Sequence, residues 1–334
     1  MSSKVCLKSV GLLAVIAPVA ALADNNTVFS DTFNNGSTLN STTATPTANS
    51  TSYQVVSSKN ATGSSMAAND LKLTFPSTSS GIAEIQAQFT SSPVALVSVG
   101  DDITLNVSFV STSGIFPAAS IASGSSFLAG GLFNSGGTAP IASGALNNSG
   151  DSSGLSTFGT GGAQNWVGYV GRINGQNANS IIGTRPAQVS GNNTAQELIG
   201  TGFSAGGSYA NGVTVHTKAS SALQVSAGDL LNYSLNYTLT AAGTITITDT
   251  LVDQTTSTTL FTDSVAASGA NYLAGPIDSL GFGYRSATNN AAALTMDITQ
   301  ISITDTVPTP EPSTLALAGV GALASLRLFR RNRK

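Results

Sequence analysis

Between Asp24 and Thr306, apolar residues seldom recur at a helical period. They alternate instead with Ser, Thr and Asn in short runs broken by Gly, Asn, Ser and Pro. A period of two sends successive side chains to opposite faces, the signature of a half-buried strand. The pattern predicts strands at 27–33, 53–57, 71–75, 82–89, 94–99, 103–110 and 126–133. It continues at 166–173, 180–183, 213–218, 222–225, 231–240, 244–252, 258–264, 280–285 and 294–304. So many strands without helical connections predict an all-β, antiparallel two-sheet sandwich over residues 24–306. Residues 38–52, a Ser/Thr/Asn tract, read as a loop within it.

One internal echo sharpens the reading. Val97-Ser98-Val99-Gly100-Asp101 precedes Ile103, Leu105, Val107 and Phe109 on one strand face. Val225-Ser226-Ala227-Gly228-Asp229 precedes Leu231, Tyr233, Leu235 and Tyr237 in the same phase. Two equivalent hairpins are expected, each turning at Gly-Asp, with these apolar residues buried.

The pattern changes at both ends. Lys4 and Lys8 precede an apolar core at 10–19, and Ala21-Leu22-Ala23 forms a small-x-small site before Asp24. This is the layout of a signal peptide, predicting a helix over 1–23 that is removed between Ala23 and Asp24. The only cysteine, Cys6, leaves with it, so the mature chain has neither a disulfide nor a thiolate ligand. At the other end, residues 315–329 form an apolar helix of about 22 Å at 1.5 Å per residue. A hydrocarbon core of about 30 Å calls for a longer run, so this is a transient rather than a permanent span. Arg330, Arg331, Arg333 and Lys334 would remain cytoplasmic by the positive-inside rule. Pro308, Pro310 and Pro312 keep the approach extended and separate the tail from the last strand.

Pro310-Glu311-Pro312, the apolar run and the basic end together resemble the PEP-CTERM sorting domain of Gram-negative bacteria, also known as an ice-binding protein C-terminal domain. The resemblance implies recognition by an exosortase, transient insertion in the inner membrane, removal of the tail, and delivery to the cell surface or an exopolysaccharide matrix. The body resembles concanavalin-A-like jelly-roll domains at 28–37, 131–138 and 296–306. That likeness implies a jelly-roll sandwich whose first and last strands pair, with Phe29 and Phe33 near Ile301 and Ile303.

Charge narrows the partners. The chain has 13 basic and 16 acidic residues; seven basic ones lie in the two terminal signals, leaving 13 − 7 = 6 in the body. The acidic count stays at 15 or 16, so the mature net charge is about −9 or −10. A surface so poor in Lys and Arg argues against nucleic acid and anionic lipid.

Little in the body reads as chemistry. The single histidine, His216, lies on an alternating strand and reads as an edge residue; no Gly-x-Ser-x-Gly elbow is expected to present a nucleophile. Metal centres built on histidine or cysteine are excluded by count. Glycoside hydrolysis needs a pair of carboxylates held at a set separation. Glu84 and Glu197 stand without acidic neighbours, Asp249 and Asp253 read as ill-spaced for one sheet face, and Asp101-Asp102 reads as turn chemistry. The best saccharide cluster is Trp166 and Tyr169 with Asn165, Arg172 and Asn174, although Trp166 and Tyr169, three apart, should face opposite sides. Thr244, Thr246, Thr248 and Thr250 form one Thr array, also the pattern of any solvent-facing strand. The sequence therefore predicts an exported, non-catalytic surface or matrix protein without a cofactor, associated with exopolysaccharide. A lectin-like protein is the alternative, ahead of a glycoside hydrolase or an ice binder.

Overall fold

The computed structural model describes residues 23–33, 53–58, 65–67, 70–75, 81–111, 127–140, 162–174, 179–186, 198–199, 213–219, 223, 225–273, 275–286 and 294–308. The expected signal and tail helices and the 38–52 loop lie outside them. The chain divides into two units, Asn25–Val307 and Met1–Asp24 with Pro308–Lys334; the architecture below belongs to the first.

Fifteen strands make up the described fold: β1 (Ala23–Asp31), β2 (Gln54–Ser58), β3 (Ser65–Ala67), β4 (Asp70–Phe75), β5 (Gly81–Gln88), β6 (Asp102–Ser111), β7 (Phe127–Asn134) and β8 (Val167–Asn174). They continue with β9 (Asn179–Arg185), β10 (Thr214–Ala219), β11 (Leu230–Ala241), β12 (Thr244–Asp253), β13 (Thr258–Ser268), β14 (Ser279–Ser286) and β15 (Leu294–Pro308). An eight-stranded sheet runs β13-β12-β11-β6-β15-β4-β3, with β1 also paired to β15. A seven-stranded sheet runs β10-β9-β8-β7-β14-β5-β2. The chain crosses repeatedly from one sheet to the other, giving the antiparallel jelly-roll sandwich that the alternation and the body's resemblance imply. β1 and β15 pair as expected of the first and last strands.

The alternation sets the main core. Along β12 buried and half-buried positions alternate without a break, and β11 alternates from Leu231 to Leu239. Val107, Phe109, Leu235 and Tyr237 are all buried, in the expected phase. Their two strands are direct antiparallel neighbours, with Leu105 opposite Leu235 and Val107 opposite Tyr233. Apolar side chains thus meet across the strand pair and face the second sheet together.

The echo needs one correction. Segment 94–99 is not a strand, Val94 making only an isolated bridge to Ile277, and of 222–225 the two described residues, Leu223 and Val225, lie outside any strand. The shared feature is an Asp-closed turn. Asp101 Oδ2 accepts hydrogen bonds from the Val97 and Ser98 amides, both at 2.7 Å, and Asp229 Oδ2 accepts one from Ser226 at 2.6 Å. Gly100 (φ 99°) and Gly228 (φ 90°) supply the left-handed step that other residues resist. Other bounds differ too: β1 begins at Ala23, inside the expected signal helix, and β13 runs to Ser268 rather than Ser264. β3 was not foreseen, and β15 continues to Pro308, past the expected end at Thr304.

The seven-stranded sheet is covered on both faces. Its inner face joins the main core through Leu128, Leu132, Tyr169, Leu280 and Phe282. Its outer face carries a second cluster of Phe127, Ala129, Phe133, Trp166, Val170 and Leu198, with Ala163 and Ile199. Every residue of β7 from Phe127 to Phe133 is therefore buried.

Candidate functional site

The second core decides the fate of the residues singled out for saccharide. Trp166 and Tyr169 do face opposite sides, but both sides are interior. Trp166 packs on Phe133 with ring centroids 6.2 Å apart, and its indole N–H donates to the Thr138 carbonyl at 2.7 Å. Tyr169 meets Tyr237 edge to face at 5.4 Å, donates to the Asn271 carbonyl and accepts from the Leu273 amide. Burial pushes the Tyr169 phenol up to about 12. Arg172 lies over the Phe127 ring and Asn174 is buried; only Asn165 is exposed. Neither aromatic ring offers a stacking platform to a sugar.

Glu84 is the one glutamate among the described residues. It points to the outer face from β5, where its carboxylate accepts hydrogen bonds from Gln86 Nε2 (2.6 Å), Leu198 N (2.7 Å) and Ile199 N (3.0 Å). Complete burial nevertheless raises its pKa from 4.5 to about 7, against the pull of those donors and of Arg185. Its observed work is to clasp the 198–199 backbone onto the sheet. Glu197, its sequence counterpart, lies outside the described residues.

His216 is an edge residue, as read. Its Nδ1 lies 2.8 Å from Asp263 Oδ2, joining β10 of one sheet to β13 of the other. Asp263 stands directly across from Asp249. The spacing argument fails here, since Asp249 and Asp253 share the inward face of β12. Residues four apart on a strand point the same way. Asp249 is fully buried, lacks a hydrogen-bond partner from another residue, and has its pKa raised by burial and then by Asp263. Asp253 closes the β12–β13 turn through Thr255 and Thr256. Asp101 and Asp253 are thus turn residues, whereas Asp102, expected in the turn, begins β6 and pairs on both sides; among the described residues no group of three His, Cys, Asp or Glu could hold a metal ion. Gly-x-Ser-x-Gly spacings were missed at 150–154 and 202–206, with Ser152 and Ser204 central; both lie outside the described residues.

An open cavity of about 230 Å³ lies at one pole of the sandwich, lined by Leu96, Leu132, Tyr169, Tyr237, Tyr272 and Ile277 among others. At the same pole Thr306 pairs with Asp102, and β15 ends two residues later. Beyond it lie Pro310, Glu311, Pro312 and the basic end, all outside the described residues, as is Ala21. Ala23 opens β1.

Residues 308–334 match the PEP-CTERM protein-sorting motif. The expected address is therefore present at the C-terminus, and it covers that segment alone. No curated protein matches the chain. Among solved structures, lectin II from Ulex europaeus superposes with a TM-score of 0.38 and 15% identity over 75% of this chain and 92% of its own. Lotus tetragonolobus seed lectin gives 0.38 and 12% over 86% and 100%, and peanut lectin 0.35 and 11% over 76% and 93%. At these scores no site or activity carries over. Among the described residues, no helix is long and apolar enough to cross a membrane.

Proposed function

We propose that this chain is an exported, non-catalytic surface or matrix protein, sorted by an exosortase through its PEP-CTERM tail and carrying its sandwich into extracellular polysaccharide. The observation that carries this reading is the sorting motif at 308–334. A non-catalytic body is supported by the employment of Glu84 as a backbone clasp and of His216 as an inter-sheet tie.

The outer face of the eight-stranded sheet supports a polysaccharide setting. Register aligns three rows across β13, β12, β11, β6 and β15: Thr262, Thr250, Ser234, Asn106, Ser302; Ser264, Thr248, Asn236, Thr104, Thr304; and Ala266, Thr246, Thr238, Asp102, Thr306. All but Ala266 and Asp102 are Ser, Thr or Asn, each able to donate and accept hydrogen bonds as sugar hydroxyls do. The Thr array of β12 is one strand of this grid. Sheets twist by roughly 20–25° per strand, so the grid suits a flexible glycan better than a flat crystal face. With a mature charge of about −9 or −10, a neutral glycan fits better than an anionic one.

The test is to fractionate cells producing the full-length chain and determine the N- and C-terminal residues of the exported form. The expected product starts at Asp24, lacks the basic end and is found at the surface. Glu311→Ala should leave the tail uncut and the protein retained at the inner membrane. A surface form that keeps Lys334, or Glu311→Ala processed normally, would overturn the sorting reading.

A further inference from the structure

Both ends of the body leave from one pole. Thr306 hydrogen-bonds Asn25 at 2.7 Å, near the start of β1, and β15 ends at Pro308. Residues 309–314 separate Pro308 from the apolar run, and six extended residues span at most about 20 Å. The apolar core of the signal peptide joins β1 at this end too. By chain connectivity, both segments that the sequence sends into a bilayer attach at this pole.

The same pole bears Val97 and Val99, which at 81% and 63% exposure exceed every other large hydrophobic residue among those described. Slack does not explain them, because Asp101 holds the Val97 and Ser98 amides and Gly100 N donates to Leu239 O. Nor does the turn require them. In the echo turn at the opposite pole, the equivalent of Val97 is Val225, which is buried, and the equivalent of Val99 is Ala227. Beside the two valines opens the apolar cavity, flanked by half-buried Tyr272 and Leu273. Rigid branched side chains beside a tyrosine suit the boundary between headgroups and acyl chains. Asp102 and Asp305, paired to neighbouring strands at this pole, disfavour anionic lipid.

Resting on the reading of the tail as membrane-inserting, we infer that this pole is a lipid-facing surface, with Val97 and Val99 seated in the interface of a zwitterionic bilayer while the tail is inserted. The sandwich then stands on the membrane with its β12–β13 turn outermost.

The test uses the full-length chain carrying Cys6→Ser and one new cysteine, at Val97→Cys or, on the far turn, Gln254→Cys. Each is labelled with a polarity-sensitive fluorophore and mixed with phosphatidylcholine vesicles. The expected result is co-flotation of both proteins, with a blue shift and quenching by lipid-borne quencher only for the label at 97. Co-flotation with both labels equally solvated overturns this inference and leaves the tail reading standing. Failure of either protein to float overturns the tail reading and this inference with it.

Discussion

Glu84 sets three hydrogen-bond donors and a nearby guanidinium against the cost of removing a carboxylate from water, and the removal wins. Because its folded pKa is raised, it binds its proton more tightly when folded than when unfolded. Its contribution is therefore fully present below about pH 4.5 and is lost as pH rises through about 7. Two to three pKa units correspond to roughly 3 kcal/mol. Asp31, Asp102 and Asp249 are shifted in the same direction by burial. The chain should thus melt at a higher temperature at pH 5 than at pH 8, and Glu84→Gln should remove much of that difference. An unaltered slope in the variant would place the pH response elsewhere. Residue-level legibility was uneven. His216 was read correctly as an edge residue, because one histidine on an alternating strand has few other roles. Trp166 and Tyr169 face opposite sides as expected, but that both sides are interior was not legible, because the second core was unseen. Its signal was present in Phe127-Leu128-Ala129-Gly130-Gly131-Leu132-Phe133, which does not alternate and so marks a strand buried on both faces.

At the scale of elements, alternation was legible wherever one face meets water. β6, β11, β12 and β15 were found within a few residues because Thr, Ser and Asn mark the outer face at every second position. The misses were local. Segments 94–99 and 222–225 have strand-like composition, yet Asp101 engages the Val97 and Ser98 amides in a turn, and Asp229 does the same to Ser226 just past the second segment. Strand partners were less legible, since pairing β6 with β11 joins residues more than a hundred positions apart. A matched pair of substitutions tests the inward and outward assignment. Leu105→Ala, facing the core, should cost about 2–5 kcal/mol in denaturant unfolding. Asn106→Ala, one residue on and facing outward, should stay within about 0.5 kcal/mol. Similar costs at both positions would contradict the alternation.

For the whole molecule, the two kinds of information came from different physics. The address was fully legible because a sorting signal is a linear string whose order is its content, and 308–334 match it. The sandwich was legible as a class, whereas the cover over the seven-stranded sheet was not, because it depends on Glu84 gripping amides more than a hundred residues away. If tail and body are separable, deleting residues 311–334 should leave the melting temperature unchanged while releasing the protein to the periplasm or medium. A truncated body that melts early or without cooperativity would show that the tail supports the fold.

The place of β15 has a consequence in time. It is the last of the described strands along the chain, yet it lies inside its sheet, between β6 and β4. During vectorial export β6 must wait, its edge unpaired, until residues 294–308 emerge. The sheet can then close only as the sorting tail itself reaches the translocon. Folding and tail delivery become nearly simultaneous events, so an early-folding body cannot outrun its own address. Stalled chains ending at residue 290 should remain protease-sensitive throughout, whereas chains whose exposed portion extends past residue 308 should acquire protection in a single step. Protection of the shorter chains would show that the eight-stranded sheet closes without its last strand.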